Sequence, residues 1–118
     1  MDFQVLAADL AQWMKQYAVQ AHADGYVVGL SGGIDSSVTA ALAVKAMGAD
    51  NTLGVLMPCH SQPQDAEYAR TVGRALGIEV LTLSLGPTYD LLLETLPSGP
   101  DIALANIKPR LRMTALYY

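Results

Sequence analysis

Seven consecutive residues, Ser31-Gly32-Gly33-Ile34-Asp35-Ser36-Ser37, combine two glycines, three hydroxyls and one carboxylate between an apolar run and a second apolar stretch. Glycine carries no Cβ, so the backbone at Gly32 and Gly33 is free to take left-handed dihedrals and to approach a ligand closely. Successive N–H groups in such a bend face one concavity. A helix beginning near Asp35 aims the positive end of its dipole at the same place, and Ser31, Ser36 and Ser37 each add a hydroxyl donor. The chemistry this predicts is the holding of a phosphate chain. The segment has neither the Gly-Lys-Ser/Thr ending of a P-loop nor the Gly-x-Gly-x-x-Gly spacing of dinucleotide folds. A loop without its own lysine suits a reaction in which pyrophosphate leaves as a unit after attack at the α-phosphate. A plainer reading is a glycine turn followed by a helix capped by Asp35 or a serine; it accounts for one polar residue and leaves the others without a role.

Two further segments have residues fit for recognition. Met57-Pro58-Cys59-His60-Ser61 follows an apolar run in the manner of a strand exit. A base-binding wall and a proline-terminated strand with a polar turn are both open there. Cys59 is a poor prospect as a catalytic thiol: nothing basic is near it in sequence except His60, and no second cysteine accompanies it. His60 and His22 belong to no constellation, and His22 reads as a surface helix residue. Near the end, Lys108, Arg110 and Arg112 lie within five positions, a local anion site on an otherwise acidic chain. On helical spacing Asn106, Arg110, Met113 and Tyr117 share one face, while Leu104, Ile107, Leu111 and Ala115 share a neighbouring apolar one. Arg110 has the geometry to grip a phosphate or carboxylate in a bidentate fork; a solvated basic turn is the competing reading.

The elements that must position these residues are legible from periodicity. Residues 2–22 form an amphipathic helix, with Phe3, Leu6, Leu10, Trp13, Met14, Tyr17 and Ala21 making one apolar stripe. The continuous apolar run at 26–30 predicts a strand buried on both faces, and residues 52–57 and 78–83 predict a second and a third strand. Between them, residues 38–47 predict a helix buried deeply against the sheet and stopped by Gly48. Ser61 with Gln64 resembles a capping box for a helix whose inner face is Ala66, Ala69, Val72 and Leu76, closed by Gly77. Gly86-Pro87 starts a shorter helix around Tyr89–Thr95; Leu96–Pro100 is a loop, exposed and mobile; a last helix runs from Asp101 to the end. Helix and strand alternate as in a parallel α/β sheet with right-handed crossovers and helices on both faces, whose ligands bind at the carboxyl ends of the strands. The large apolar residues Leu116-Tyr117-Tyr118 at the terminus predict a truncated chain or one covered there by a partner subunit.

Composition bounds the partners. At 118 residues the chain makes one domain. A hydrophobic content of 52 % excludes a disordered tail, and a net charge of −4 argues against nucleic acid. The single cysteine rules out an intrachain disulfide and a multi-cysteine zinc site, which points to a reducing cytosol. No signal-peptide pattern, transmembrane-length run, repeat or low-complexity segment is present, so a membrane is not expected as a partner.

The loop at 31–37 resembles the SGGxDS loop of the ATP-pyrophosphatase superfamily, which includes NAD synthetase, GMP synthetase, asparagine synthetase and several tRNA-modifying enzymes. The stretch from Asn106 to Met113 is similar to the Asn-x-Lys-Ala/Pro-Arg-x-Arg-Met helix of NAD synthetases, and the order of loop, Met-Pro and basic helix agrees. The resemblance covers essentially the whole chain. It implies a Rossmann-like, adenine nucleotide alpha hydrolase-like fold, truncated, with residues 1–118 as the N-terminal portion of one domain. The implied activity is ATP-dependent amidation of deamido-NAD to NAD through an adenylated intermediate, releasing AMP and pyrophosphate. The implied ATP set is Gly29, Leu30, Ser31, Gly32, Gly33, Ile34, Asp35, Ser36, Ser37 and Met57, with Asp35 as a Mg²⁺ ligand. Arg110, with Asn106, is implied in binding deamido-NAD. The family is homodimeric and about twice this length, so the second magnesium carboxylate and further contacts are missing and the fragment is expected to be inactive alone. Met1 directly precedes the first helix, which favours free ammonia over glutamine as the nitrogen source. A tRNA sulfur transferase of the same superfamily predicts more cysteines and a basic surface. A non-catalytic nucleotide-binding or dimerisation fragment is the remaining alternative.

Overall fold

The computed structural model describes residues 1–118. Its elements run α1 (Phe3–Gln20), β1 (Tyr26–Leu30), α2 (Ile34–Met47), a 3-10 turn (Ala49–Asn51), β2 (Thr52–Leu56), α3 (Pro63–Leu76), β3 (Glu79–Thr82), α4 (Gly86–Thr95), α5 (Asp101–Ala105) and α6 (Ile107–Tyr117). The three strands form one parallel sheet in the order β1-β2-β3, with Val28 opposite Gly54 and Gly54 opposite Val80. The predicted parallel α/β architecture is thus the observed one.

Only the central strand β2 is buried along nearly its whole length. β1 and β3 are the sheet edges, where Val27 and Leu81 are exposed, so the burial on both faces expected of residues 26–30 is not met at Val27. Val28, Leu30, Leu56 and Ile78 meet Ala40 and Ala43 of α2 and Ala69 of α3 in the main core. On the opposite face, Leu116 of α6 comes up to Gly29. Gly54 lies so close to Leu30 that a Cβ there would stand 2.7 Å from the leucine methyl. No helix is long and apolar enough to cross a membrane.

α2 begins four residues earlier than its apolar run, at Ile34, and only Ala40 and Ala43 are fully buried while Val38 is exposed. It is sandwiched between the sheet and α1, and two alanines permit that close approach. α1 departs further from expectation. Its buried positions are Ala11 and Ala18, flanked by half-buried Ala7 and Met14, whereas Phe3, Trp13 and Tyr17 are 75 %, 60 % and 59 % exposed. The face that packs is the one made of small residues; the aromatic stripe lies beside it and faces outward. His22 sits beyond the helix end with φ 56°.

Replacing Ala40 with leucine is expected to lower stability by about 1–3 kcal/mol, because a fully buried alanine between two layers leaves no room for extra methylenes. Denaturant unfolding of the full-length protein measures this; a midpoint equal to wild type would show that the layers are not closely packed.

Two helix starts correct the sequence reading. α3 is not opened by a capping box: Pro63 occupies its first turn, Gln62 is its N-cap without a side-chain bond, and Gln64 donates to the Tyr68 hydroxyl instead. Proline's fixed φ and missing N–H suit a first helical position. The final helix is two helices. Pro109 cannot donate to the Ala105 carbonyl, and the chain breaks at Asn106, whose N–H donates to Ala103 at 3.3 Å.

Candidate functional site

β1 delivers Ser31 to the carboxyl edge of the sheet, and the backbone then turns through Gly32 (φ 86°) into α2. Gly32 needs its missing Cβ twice over. L-residues avoid that φ, and a Cβ would stand 2.5 Å from the carbonyl oxygen of Asp65 in the first turn of α3. Gly33 differs from expectation: its φ of −85° and ψ of 169° are ordinary extended backbone, and it serves as the N-cap of α2. Asp35 does not cap the helix. It lies in the first turn with its carboxylate unpaired, as a negative charge favoured by the helix N-terminus.

Serine hydroxyls hold the loop in shape. The Ser31 N–H donates to Ser36 Oγ (3.1 Å), the Gly33 N–H donates to Ser31 Oγ (3.2 Å), and Ser31 Oγ and Ser36 Oγ are 3.0 Å apart. Ser36 and Ser37 both donate their hydroxyls to the Gly33 carbonyl, at 3.3 Å and 2.7 Å. These hydroxyls must rotate before they can serve a ligand. By contrast, the N–H groups of Gly32, Ile34, Asp35 and Ser36 have no acceptor within the chain. Exposed amides that converge at a helix N-terminus make an anion-binding concavity.

Beside the loop lies a cavity of about 360 Å³ lined by Gly29, Leu30, Ser31, Leu56, Met57, Pro58, Ser61, Asp65, Ala66, Arg112 and Leu116. Its lining mixes apolar side chains (Leu30, Leu56, Met57) with a few polar ones (Ser31, Ser61, Arg112), the usual build of a small-molecule pocket. Of the residues singled out in the sequence, Gly29, Leu30, Ser31 and Met57 meet here, and Gly32–Ser37 continue from its edge. Asn106 and Arg110 do not enter it. They are exposed and bound to each other: an Arg110 guanidinium N–H donates to the Asn106 carbonyl (3.1 Å) and to its Oδ1 (3.2 Å). The helical face they share with Met113 and Tyr117 is open, and the neighbouring face of Leu104, Ile107, Leu111 and Ala115 is half-buried, as the spacing predicts.

The arginine that reaches the cavity is Arg112. Its Nε donates to the Met57 carbonyl at 3.0 Å and its terminal nitrogen to Ser61 Oγ at 3.4 Å. Its sequence signal was the cluster of basic residues, which does not reveal which member turns inward. Asp65, Ala66 and Leu116 also line the cavity; the sequence marked Ala66 and Leu116 only as packing residues and Asp65 not at all. His60 is likewise not isolated. It takes a left-handed φ of 54°, its Nε2 is 2.7 Å from Asp90 Oδ1, and its ring meets Tyr89 edge-on. Lys108 stands 5.3 Å from the centroid of the same tyrosine.

The donors present at the loop fit magnesium. Asp35 offers one free carboxylate at the anion concavity, and magnesium bound to a polyphosphate takes one or two protein carboxylates, phosphate oxygens and waters. No group of three or more His, Cys, Asp or Glu gathers anywhere in the chain.

The family model for NAD synthase matches residues 6–118. An NH(3)-dependent NAD(+) synthetase of Finegoldia magna is 44 % identical over 119 residues, covering 100 % of this chain and 49 % of that protein. Among solved structures, an NH3-dependent NAD synthetase from Campylobacter jejuni superposes with a TM-score of 0.92 at 28 % identity, covering 99 % of this chain and 51 % of that one. An NMN synthetase from Francisella tularensis gives a TM-score of 0.90 at 35 % identity, with 99 % and 49 % covered. The chain spans about half the length of the curated relatives it matches.

Proposed function

The chain belongs to the NAD synthase family, and from that premise we propose that it supplies the N-terminal half of an enzyme that amidates deamido-NAD to NAD with ATP and ammonia. The observation that carries this reading is the row of unengaged amides at Gly32, Ile34, Asp35 and Ser36, beside a cavity of about 360 Å³. A carboxylate resists ammonia because its carbon is electron-rich and its oxygens leave poorly. Attack of the nicotinate carboxylate on the α-phosphate converts it to an acyl adenylate with release of pyrophosphate. Ammonia then displaces AMP and leaves the amide.

The protein's part is placement and charge stabilisation. The free amides and the α2 dipole hold the departing pyrophosphate. Leu30, Met57 and Leu116 enclose the base. Magnesium at Asp35 would neutralise charge on the phosphates as pyrophosphate departs. Arg110, exposed on α6, is available to the anionic groups of deamido-NAD, with Asn106 steering its guanidinium. We place the enzyme in the cytosol, as a homodimer.

The test is conversion of deamido-NAD to NAD by the full-length protein with ATP and ammonium, run alongside glutamine as nitrogen donor and alongside an assay for NMN formation. NAD from ammonium is expected. No NAD would remove the assignment, and NMN in its place would move the protein to the activity named for the Francisella relative. Arg110→Ala is expected to raise the deamido-NAD KM by about 10–100-fold, the usual worth of a lost charge-assisted contact, while leaving the ATP KM within about twofold. An equal rise in both constants would mean that Arg110 serves the fold and not the second substrate.

A further inference from the structure

The segment from Leu56 to Ser61 is held on both flanks. The Leu56 and Pro58 carbonyls accept the N–H groups of Leu83 and Leu85, each at 2.8 Å. The intervening Met57 carbonyl accepts the Nε–H of Arg112 at 3.0 Å. Ser61 Oγ accepts the Cys59 N–H at 3.3 Å and also meets Arg112. A single guanidinium therefore closes the turn against α6 across 55 residues of sequence. Arg110 and Arg112 are two positions apart, about 200° around a helix. One turns into the cavity and the other turns out to solvent.

We propose that Arg112 is a positioning residue: it fixes the Met57–Ser61 wall of the nucleotide cavity and locks to that wall the helix that carries Arg110. The inference rests on the NAD synthase reading and adds the residue that sets the spacing between the two substrates. Its two contacts require donors in a planar fork. Lysine, a point charge on a flexible stem, cannot make both.

The experiment compares Arg112→Met, Arg112→Lys and Ser61→Ala in the full-length protein. Both Arg112 variants are expected to raise the ATP KM about tenfold and to lower kcat about tenfold, with lysine failing to rescue. Ser61→Ala is expected to weaken ATP about twofold alone and to add nothing to Arg112→Met. Wild-type ATP KM in Arg112→Lys would overturn the proposal, since charge alone would then suffice. A rise in the deamido-NAD KM alone would overturn it by making Arg112 a direct ligand of that substrate. A lowered melting temperature with unchanged kinetics would reduce it to a structural contact. Should Arg112→Met fail to fold, Arg112→Lys decides. Should the wild type make no NAD, the function assignment falls by itself. ATP titration of the same variants by calorimetry, with about tenfold weaker binding expected, then still tests the clamp.

Discussion

Gly32→Ala is expected to weaken ATP binding about 100-fold, a loss of roughly 2.7 kcal/mol in binding free energy, and to lower the melting temperature as well. Two independent costs converge at this position. A left-handed dihedral costs an L-residue about 1–2 kcal/mol, and the φ here is 86°. The new methyl would also lie 2.5 Å from the Asp65 carbonyl oxygen, which belongs to the first turn of α3 and cannot swing aside as a side-chain tip would. Relief must come from the loop, and the loop is where the unengaged amides of Gly32, Ile34, Asp35 and Ser36 converge. Small displacements of several donors at once degrade an anion site more than removal of any one of them. Gly33→Ala is the comparison that isolates the cause. Its φ is already negative, and its nearest new contact is Ser31 Oγ at 3.4 Å, so the expected loss is within tenfold. Calorimetric titration of ATP and magnesium into the full-length variants distinguishes the two. Equal losses at both glycines would mean that composition rather than backbone conformation makes the site, and near-wild-type binding by Gly32→Ala would remove the loop from the phosphate chain altogether.

The contrast between the two glycines shows what a sequence can and cannot convey. Gly32-Gly33 announces a tight bend beside a ligand, and both positions were expected to exploit left-handed geometry; only the first does. Which of two adjacent glycines carries the positive φ depends on α3, whose approach to the loop is a tertiary fact. The strands and the parallel order were legible because short apolar-rich segments alternating with helical ones have few other solutions. The packing face of α1 was not, because periodicity weights large residues. Here the face that meets α2 uses Ala11 and Ala18, which gain their burial by allowing close approach, while Trp13 and Tyr17 remain outside.

The same distinction applies to the site. Asp35 and the serines were legible as neighbours because strand, loop and helix are contiguous in sequence, and Met57 because it follows the second strand. Arg112, Asp65, Ala66 and Leu116 arrive at the cavity from distant segments. Pro109 had the information that the last helix breaks, since it lacks the N–H that would bond four residues back. Beyond the break at Asn106, α6 lies against β1 with Leu116 at Gly29. The pairing of His60 with Asp90 joins residues 30 positions apart, beyond the reach of any local pattern.

Asp35→Ala is expected to reduce kcat/KM about 1,000-fold, near 4 kcal/mol of transition-state stabilisation, with much less effect on folding. The separation of the two effects follows from where the carboxylate sits. It makes no hydrogen bond or ion pair with the rest of the chain and caps nothing. Its only structural service is a favourable interaction with the α2 dipole, worth about 0.3–1 kcal/mol. A free carboxylate beside exposed amides otherwise works against an anion, because it repels the phosphates those amides attract. That repulsion is resolved if a divalent cation enters with the phosphates, and charge on pyrophosphate increases as it leaves, so the benefit appears mainly in the transition state. The prediction is therefore a fall in kcat with only a modest change in the ATP dissociation constant measured without metal, where removal of the carboxylate should even strengthen binding. Asp35→Asn keeps the shape and loses the charge; its activity should need a several-fold higher magnesium concentration for half-maximal rate. Steady-state rates across a magnesium titration, with melting temperatures of each variant, provide the check. Unchanged turnover in Asp35→Ala, or a magnesium requirement identical to wild type in Asp35→Asn, would leave the carboxylate with no role beyond its small contribution to the helix.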